Sequence, residues 1–177
     1  MQRNIMISGT GGQGVIAAAD FLGEALFNNG YHVVCTRSYG AEARGGSAQS
    51  VVIASDQEIY DIQFEKADIM LVLSLPAYRK FSSVARQGGL IIVDDRIVLR
   101  LKPGEVRKDV DQVAIPATDI AEKLGNPIVA NMVMLGAFTA KTGLITLNQL
   151  RDAVKALMRP QLQDVNLKAI DLGSSTV

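Results

Sequence analysis

The stretch MISGTGGQGVIAAADFLG, residues 6–23, decides the fold, because an apolar run leads into four glycines within six positions and then into small and apolar residues. After the turn, apolar residues recur at three- and four-residue steps, the spacing of one helix face, at Val15, Ala18, Ala19, Leu22 and Leu26. Gly30 is a helix stop signal. We therefore predict a strand over 4–8 and a helix over 13–30, the first strand-turn-helix unit of an α/β domain.

The glycines of this turn fit a phosphate-binding motif. The segment Gly9-Thr10-Gly11-Gly12-Gln13-Gly14 satisfies G-x-G-x-x-G between a strand and a helix. Glycines here allow positive φ angles, and they let a ligand phosphate meet backbone N–H groups at the positive end of the helix. A tight turn that joins a strand to a helix and holds no ligand fits the same residues.

Two nucleotide-binding alternatives depend on the residues around the motif. A dinucleotide fold places an acidic residue about 20 positions further on, where it binds the ribose hydroxyls. The predicted second strand, 32–36, is followed by Arg37 instead. A stand-alone domain that binds the phosphate of NADP through Arg37 stays open. A Walker loop is excluded, because neither Lys-Ser nor Lys-Thr follows the glycines.

The other apolar segments predict a mixed sheet. Near-continuous apolar runs at 67–74 and 90–95 indicate central strands buried on both faces, and 112–118 is the last predicted strand. The segments 48–55 and 58–63 flank a short turn and predict a β-hairpin. This hairpin makes the sheet mixed rather than purely parallel.

Start and stop signals place the later helices. A helix over 76–89 begins with proline and ends on glycine, and a further helix has Thr118 or Asp119 as its N-cap. Two more helices, the second capped by Thr146, are predicted over 128–143 and 146–158.

Length and composition set the fold class. The 177 residues fit one domain, 1–177, with a short helix and a frayed C-terminal tail over about 160–177. We predict a single three-layer α/β/α domain with a mixed, mostly parallel sheet and a Rossmann-like first unit. Lys plus Arg equals Asp plus Glu at 18 each, so no net charge favours nucleic acid or an anionic membrane. No signal-peptide core or membrane span is found, and we expect a cytoplasmic protein.

No catalytic set is recognisable in the sequence. The single Cys35 cannot supply an iron–sulfur cluster or a structural zinc site. The only histidine, His32, begins an apolar strand, and the serines have no His-Asp arrangement to activate them. Asp94 and Asp95 are adjacent in a predicted strand and point to opposite faces, which disfavours a two-carboxylate metal site. We predict neither a catalytic residue nor a metal site in this chain.

A second glycine-rich segment is YGAEARGG, residues 39–46. It places an aromatic ring, a carboxylate and a guanidinium within six residues, among glycines, and so can present charge to a partner or to an anionic ligand. A solvated loop with an internal contact between Glu42 and Arg44 fits the same residues. The glycine content and the lack of large aliphatic residues favour an interface or ligand role.

Three segments together resemble the gamma subunit, or gamma domain, of the 2-oxoacid:ferredoxin oxidoreductases. They are SGTGGQGV at 8–15, YGAEARGG at 39–46, and ANMVMLGAF at 130–138, which is similar to the Asn-x-x-x-Leu-Gly helix of that family. The resemblance extends over nearly the whole chain and is greatest to the 2-oxoglutarate-specific type. Pyruvate, branched-chain and indolepyruvate enzymes stay open.

The resemblance implies a complex that decarboxylates a 2-oxoacid on thiamine diphosphate, passes two electrons through iron–sulfur clusters to ferredoxin, and transfers the acyl group to coenzyme A. Its partners are the alpha, beta and ferredoxin-like delta subunits. Thiamine diphosphate, magnesium and the clusters are expected in those subunits, because this chain lacks a Gly-Asp-Gly motif and a cysteine cluster. The isolated chain is expected to be inactive, and a homodimer of it stays open.

The resemblance also implies two sets of site residues. The glycine turn, with Gly9, Gly11, Gly12, Gln13 and Gly14, is expected to contact a coenzyme A phosphate or to hold a neighbouring chain closely. The interface set is Tyr39, Glu42, Arg44, Gly45, Gly46 and Asn131. A purely structural interaction subunit, in which the glycines serve packing alone, is the alternative.

Overall fold

One six-stranded sheet forms the centre of the computed structural model, which describes residues 1–38 and 46–177. The strands are β1 Gln2–Thr10, β2 His32–Ser38, β3 Ser47–Ser55, β4 Ala67–Val72, β5 Ala85–Asp94 and β6 Asp111–Ile115. Their order across the sheet is β2-β3-β1-β4-β5-β6. The strands β1, β4, β5 and β6 are parallel to one another, and β3 is antiparallel to both β1 and β2. The predicted mixed α/β sheet is confirmed.

Helices cover both faces of the sheet. They are α1 Val15–Asn28, α2 Leu75–Phe81, α3 Asp95–Val98, α4 Ala117–Lys123, α5 Ala130–Thr142, α6 Leu147–Leu157 and α7 Pro160–Ser174. The core has two parts, one on each face of the sheet, because successive side chains of a strand point to opposite faces. Ile5 and Ile7 of β1 pack with α1 and with α4 to α7 on one face, and Met6 packs with α2 and α3 on the other. The result is the predicted arrangement of three layers.

The first strand-turn-helix unit agrees with its prediction. All five apolar residues of the predicted helix face are buried in α1, and the helix ends just before Gly30, whose φ is +88°. Thr146 caps α6 as predicted, in a reciprocal capping box with Gln149.

The predicted hairpin of 48–55 with 58–63 is wrong. The segment 58–63 contains no strand, and β3 lies between β1 and β2 instead. The alternation of apolar residues in EIYDIQ suits a strand, but Tyr60 and Ile62 are exposed and pair with no neighbour strand. Tertiary pairing with a strand far along the chain therefore decided where β3 lies.

Two helix predictions need correction at their ends. The helix predicted over 76–89 stops at Phe81, and the chain then forms a 3-10 turn and enters β5 at Ala85. The predicted N-caps of α4 are also wrong, because Pro116 occupies that position and no side chain caps the helix. Thr118 instead donates hydrogen bonds to Asp94 from its backbone N–H and its hydroxyl, each at 2.7 Å.

The short helix and frayed tail predicted over about 160–177 form one packed helix, α7, which extends to Ser174. α7 crosses α5 closely, and a Cβ atom added to Gly173 would collide with the backbone of Val133, while one added to Gly136 would collide with the backbone of Ile170. Ala169 and Ile170 are fully buried at this crossing. Two glycines that face each other's helix thus allow the two backbones to approach.

Candidate functional site

The candidate site lies at the edge of the sheet where β1, β4, β5 and β6 end. α1 follows β1 onto one face of the sheet and α2 follows β4 onto the other. A crevice between two neighbouring strands whose helices diverge in this way is the usual ligand position in open α/β sheets. The glycine turn, residues 9–14, stands at this point.

The side chain of Gln13 forms hydrogen bonds at the ends of both β1 and β4. Its Oε1 accepts a hydrogen bond from the Thr10 N–H at 2.7 Å, and its Nε2 donates to the Leu73 carbonyl at 2.9 Å. Gln13 therefore ties the end of β1 to the end of β4. Gly9 packs beneath this tie, where an added Cβ would lie 2.7 Å from the Gln13 Oε1. Both residues, predicted as ligand contacts, have packing roles inside the turn.

Some backbone N–H groups of the turn donate hydrogen bonds within the chain, and others have no partner among the described residues. The Gly11 N–H donates to the Gly46 carbonyl at 3.2 Å, and the Gln13 N–H donates to the Thr10 carbonyl at 3.1 Å. The N–H groups of Gly12, Gly14 and Val15 have no hydrogen-bond partner within residues 1–38 and 46–177. Together with the N–H groups of Ile16 and Ala17 in the first turn of α1, they are the donors that this end of the helix can offer to a ligand.

A groove of about 460 Å³ begins at these amides. It lies between the glycine turn, Ile16 and Ala17 of α1, and Ala48 of β3, and Asp20 stands further along it. The first turn of α1 carries no acidic residue, and the helix has no side-chain cap. No carboxylate within this first turn therefore neutralises the helix dipole, which favours an anion.

Arg37 lies beside the groove and is engaged with α1. Its Nη2 donates to the Asp20 carboxylate at 2.7 Å. An arginine that binds the NADP phosphate would have to exchange this ion pair for the ligand. Nearby, burial raises the pKa of the Cys35 thiol, and the Asp20 carboxylate raises it further.

Of the residues predicted at an interface, two are described by the structure. Gly46 lies next to the glycine turn, where its carbonyl accepts the hydrogen bond from Gly11. Asn131 is only 5% exposed, and its Nδ2 donates to the Gly14 carbonyl at 3.0 Å. The structure thus gives Asn131 a contact inside the chain. Tyr39, Glu42, Arg44 and Gly45 lie outside the described residues.

A second crevice, also about 460 Å³, adjoins the turn on the α2 side. Its floor is Asp94, 2% exposed, whose carboxylate accepts from Thr118 and from the Arg96 N–H at 3.0 Å. Asp94 therefore joins the beginning of α3, which follows β5, to the beginning of α4, which follows β6. The sequence placed Asp94 at a strand end, but only the fold brings Thr118, 24 residues later, against it.

Arginines around this second crevice are mostly paired. Arg96 binds the carboxylates of Glu122 and Asp119, which raise the pKa of its guanidinium, and Arg79 binds Glu105 at 2.7 Å. Burial raises the pKa of Asp95, and the neighbouring carboxylate of Asp94 adds to the effect. Within the part of the chain that the structure describes, no three His, Cys, Asp or Glu side chains form a metal-binding group.

The geometry defines an α/β protein in which a groove that begins at backbone N–H groups of the glycine turn runs along α1. The family model described as "Pyruvate ferredoxin/flavodoxin oxidoreductase" matches residues 4–176. The 2-oxoglutarate synthase subunit KorC of Methanocaldococcus jannaschii is 40% identical over 176 residues, 98% of this chain and 92% of that protein. The chain therefore belongs to the pyruvate ferredoxin/flavodoxin oxidoreductase family.

Solved structures agree with this assignment. The gamma subunit of a keto/oxoacid ferredoxin oxidoreductase from Geobacter sulfurreducens superimposes with a TM-score of 0.86 at 32% identity, covering 99% of this chain and 96% of that one. A 2-oxoglutarate:ferredoxin oxidoreductase from Magnetococcus marinus, solved with 2-oxoglutarate, coenzyme A and succinyl-CoA bound, gives a TM-score of 0.88 at 26% identity. Here the match covers 99% of this chain and 31% of the longer one. Across residues 1–38 and 46–177, no helix is both long and apolar enough to span a bilayer.

Proposed function

We propose that this chain is the gamma-type subunit of a 2-oxoglutarate:ferredoxin oxidoreductase. The assembled enzyme would convert 2-oxoglutarate, coenzyme A and two oxidised ferredoxins into succinyl-CoA, CO₂, one proton and two reduced ferredoxins. The observation that carries the proposal is full-length similarity to KorC subunits of 2-oxoglutarate synthases.

We assign this chain a binding role toward coenzyme A. Its amide donors at Gly12, Gly14 and Val15 suit a phosphate of that ligand, because they lie at the N-terminus of a helix whose first turn has no acidic residue. The apolar groove beyond them suits an uncharged arm that continues from the phosphate. Of the five predicted contact residues, the proposal keeps Gly12 and Gly14, and it adds Val15.

The redox cofactors belong, in this proposal, to other subunits. One cysteine cannot ligate an iron–sulfur cluster, which takes four thiolates in most proteins. We place thiamine diphosphate, magnesium and the clusters in the alpha, beta and ferredoxin-like delta partners, with the whole assembly in the cytoplasm. Tyr39, Glu42, Arg44, Gly45 and Gly46 are proposed to face a partner subunit.

The test is to purify this chain alone and with its co-expressed partner subunits. The complex should be brown and should reduce ferredoxin only when a 2-oxoacid and coenzyme A are both present, with 2-oxoglutarate the best substrate in a panel that includes pyruvate, branched-chain oxoacids and indolepyruvate. The isolated chain should be inactive and colourless. Ferredoxin reduction by the isolated chain would refute the subunit role, and preference for another oxoacid would refute the substrate.

A purely architectural role is the competing proposal, and the packing of Gly9 favours it. A substitution of Gly12 distinguishes the coenzyme A role from the architectural role. An added Cβ at Gly12 would meet no atom within 4 Å, and the φ of +93° strains any residue other than glycine. If the turn binds coenzyme A, Gly12→Ala should raise the KM for coenzyme A and leave assembly intact. If the glycines serve packing alone, the KM should not change.

Calorimetric titration with NADP, NAD and coenzyme A tests the nucleotide-binding alternative. If that alternative is correct, the chain should bind NADP, and Arg37→Glu should abolish this binding.

A further inference from the structure

Asn131 lies near the beginning of α5 and touches the N-terminus of α1. Its Nδ2 donates to the Gly14 carbonyl at 3.0 Å. Gly14 is the N-cap of α1, with φ +69° and ψ +27°, and an added Cβ on it would collide with the Asn131 carboxamide. The carboxamide therefore fills the space that a side chain at position 14 would need.

The contact is not explained by folding stability. The Gly14 carbonyl already accepts a hydrogen bond from the Ala18 N–H at 3.0 Å, the first bond of the helix. The Oδ1 of Asn131 is buried and has no hydrogen-bond partner within the described residues. A buried polar atom without a partner disfavours the folded state, so an apolar side chain of the same shape would serve packing at least as well.

The carboxamide does, however, fix a peptide plane. In a planar trans peptide the carbonyl of one residue and the N–H of the next point in opposite directions. Asn131 and Ala18 both hold the Gly14 carbonyl, so the Val15 N–H is directed the other way, out of the helix N-terminus. The backbone of glycine rotates more freely than that of other residues. The hydrogen bonds from Asn131 and Ala18 together therefore restrain this peptide plane more than the bond from Ala18 alone.

We propose that Asn131 is a positioning residue for the anion site: it holds the Gly14–Val15 peptide so that the Val15 N–H meets a phosphate ester in the groove. This rests on the proposed coenzyme A contact. Asn131 is buried and does not line the groove, so it acts on the phosphate only through the Gly14–Val15 peptide.

The first experiment uses Asn131→Leu, which keeps the approximate shape and removes both polar atoms. In the assembled complex we expect the KM for coenzyme A to rise about tenfold with kcat unchanged, the effect of misaligning one hydrogen bond to a charged group. The melting temperature of the chain should stay within about 3 °C of the wild type. The control is Thr139→Val on the same helix, where a buried hydroxyl bonds the Leu135 carbonyl away from the turn. It should leave the KM unchanged.

A second variant tests the donor itself. Burial raises the pKa of the carboxyl introduced by Asn131→Asp, and the protonated form can donate to the Gly14 carbonyl as the amide does. The ionised form cannot. The KM of this variant, relative to wild type at the same pH, should therefore fall toward one as the pH is lowered from about 8 to about 6. A ratio that does not change with pH would contradict the donor role.

A ligand-free readout separates this inference from the proposed function. The Val15 amide resonance and its hydrogen exchange rate, measured on the full chain, should differ clearly between wild type and Asn131→Leu and should not change in Thr139→Val. An unchanged Val15 amide in Asn131→Leu overturns the positioning role, whatever the kinetics. A changed Val15 amide with an unchanged KM for coenzyme A refutes the coenzyme A contact instead. If Asn131→Leu does not fold, Asn131→Asp supplies the same comparison as the pH is varied.

Discussion

Gly173→Ala should destabilise the protein strongly, although alanine is the better helix former. The added Cβ would collide with the carbonyl oxygen, the carbonyl carbon and the Cα of Val133, which are backbone atoms and cannot rotate away. α7 must therefore move off α5, at the point where Ala169 and Ile170 are now fully buried.

The magnitude follows from three contributions. Overpacking costs about 1–3 kcal/mol, and exposure of a buried isoleucine adds up to about 1.5–3 kcal/mol, the value for complete exposure. The helix propensity of alanine returns about 1 kcal/mol. We expect a net loss of about 3 kcal/mol in the free energy of unfolding, or a melting temperature lower by about 6–12 °C.

Urea denaturation and calorimetry of the isolated chain measure this loss. Gly104→Ala is the matched control, because an added Cβ there meets no atom within 4 Å and its φ is not positive. It should alter stability by less than about 0.5 kcal/mol. If Gly173→Ala were as mild as Gly104→Ala, the close crossing of α5 and α7 would be refuted.

Two smaller changes test local interactions. Thr146→Ala removes the capping box with Gln149 and should cost about 1 kcal/mol of stability, measured by urea denaturation; no loss would contradict the cap. Hydrogen bonds from Arg96 lower the pKa of Glu122, so this pair stabilises the fold above the unfolded-state pKa of a glutamate and ceases to do so as the pH falls through the lowered value. Arg96→Gln should raise the pKa of Glu122 in an NMR titration, and an unchanged pKa would show that the pair does not form in solution.

Local signals predicted the parts of the fold that local interactions determine. The glycine turn and α1 follow from helix periodicity and from glycines with positive φ, and Thr146 follows from capping chemistry. The position of β3 could not be predicted this way, because β3 pairs with β1, from the beginning of the chain, as well as with the preceding strand β2. The segment 85–89 was predicted as the end of a helix, because its polar residues and glycines are not typical of a strand. It forms the beginning of β5.

The candidate site was predicted only in outline. The motif identified the turn, but it could not show that Gln13 and Gly11 are occupied by the fold, which leaves Gly12, Gly14 and Val15 as donors. The resemblance singled out Asn131 and implied an exposed role, whereas burial and the contact with Gly14 depend on how α5 packs against α1. Tertiary contacts of this kind have no local sequence signal.

The most direct test of the subunit role is an omission experiment. The alpha, beta and delta partners are assembled without this chain, and the rate of ferredoxin reduction with 2-oxoglutarate and coenzyme A is measured before and after the purified chain is added. We expect the incomplete assembly to be nearly inactive and the added chain to restore a rate that saturates at one copy per set of partners. Full activity without this chain, or no response to its addition under conditions in which it binds the partners, would contradict the account.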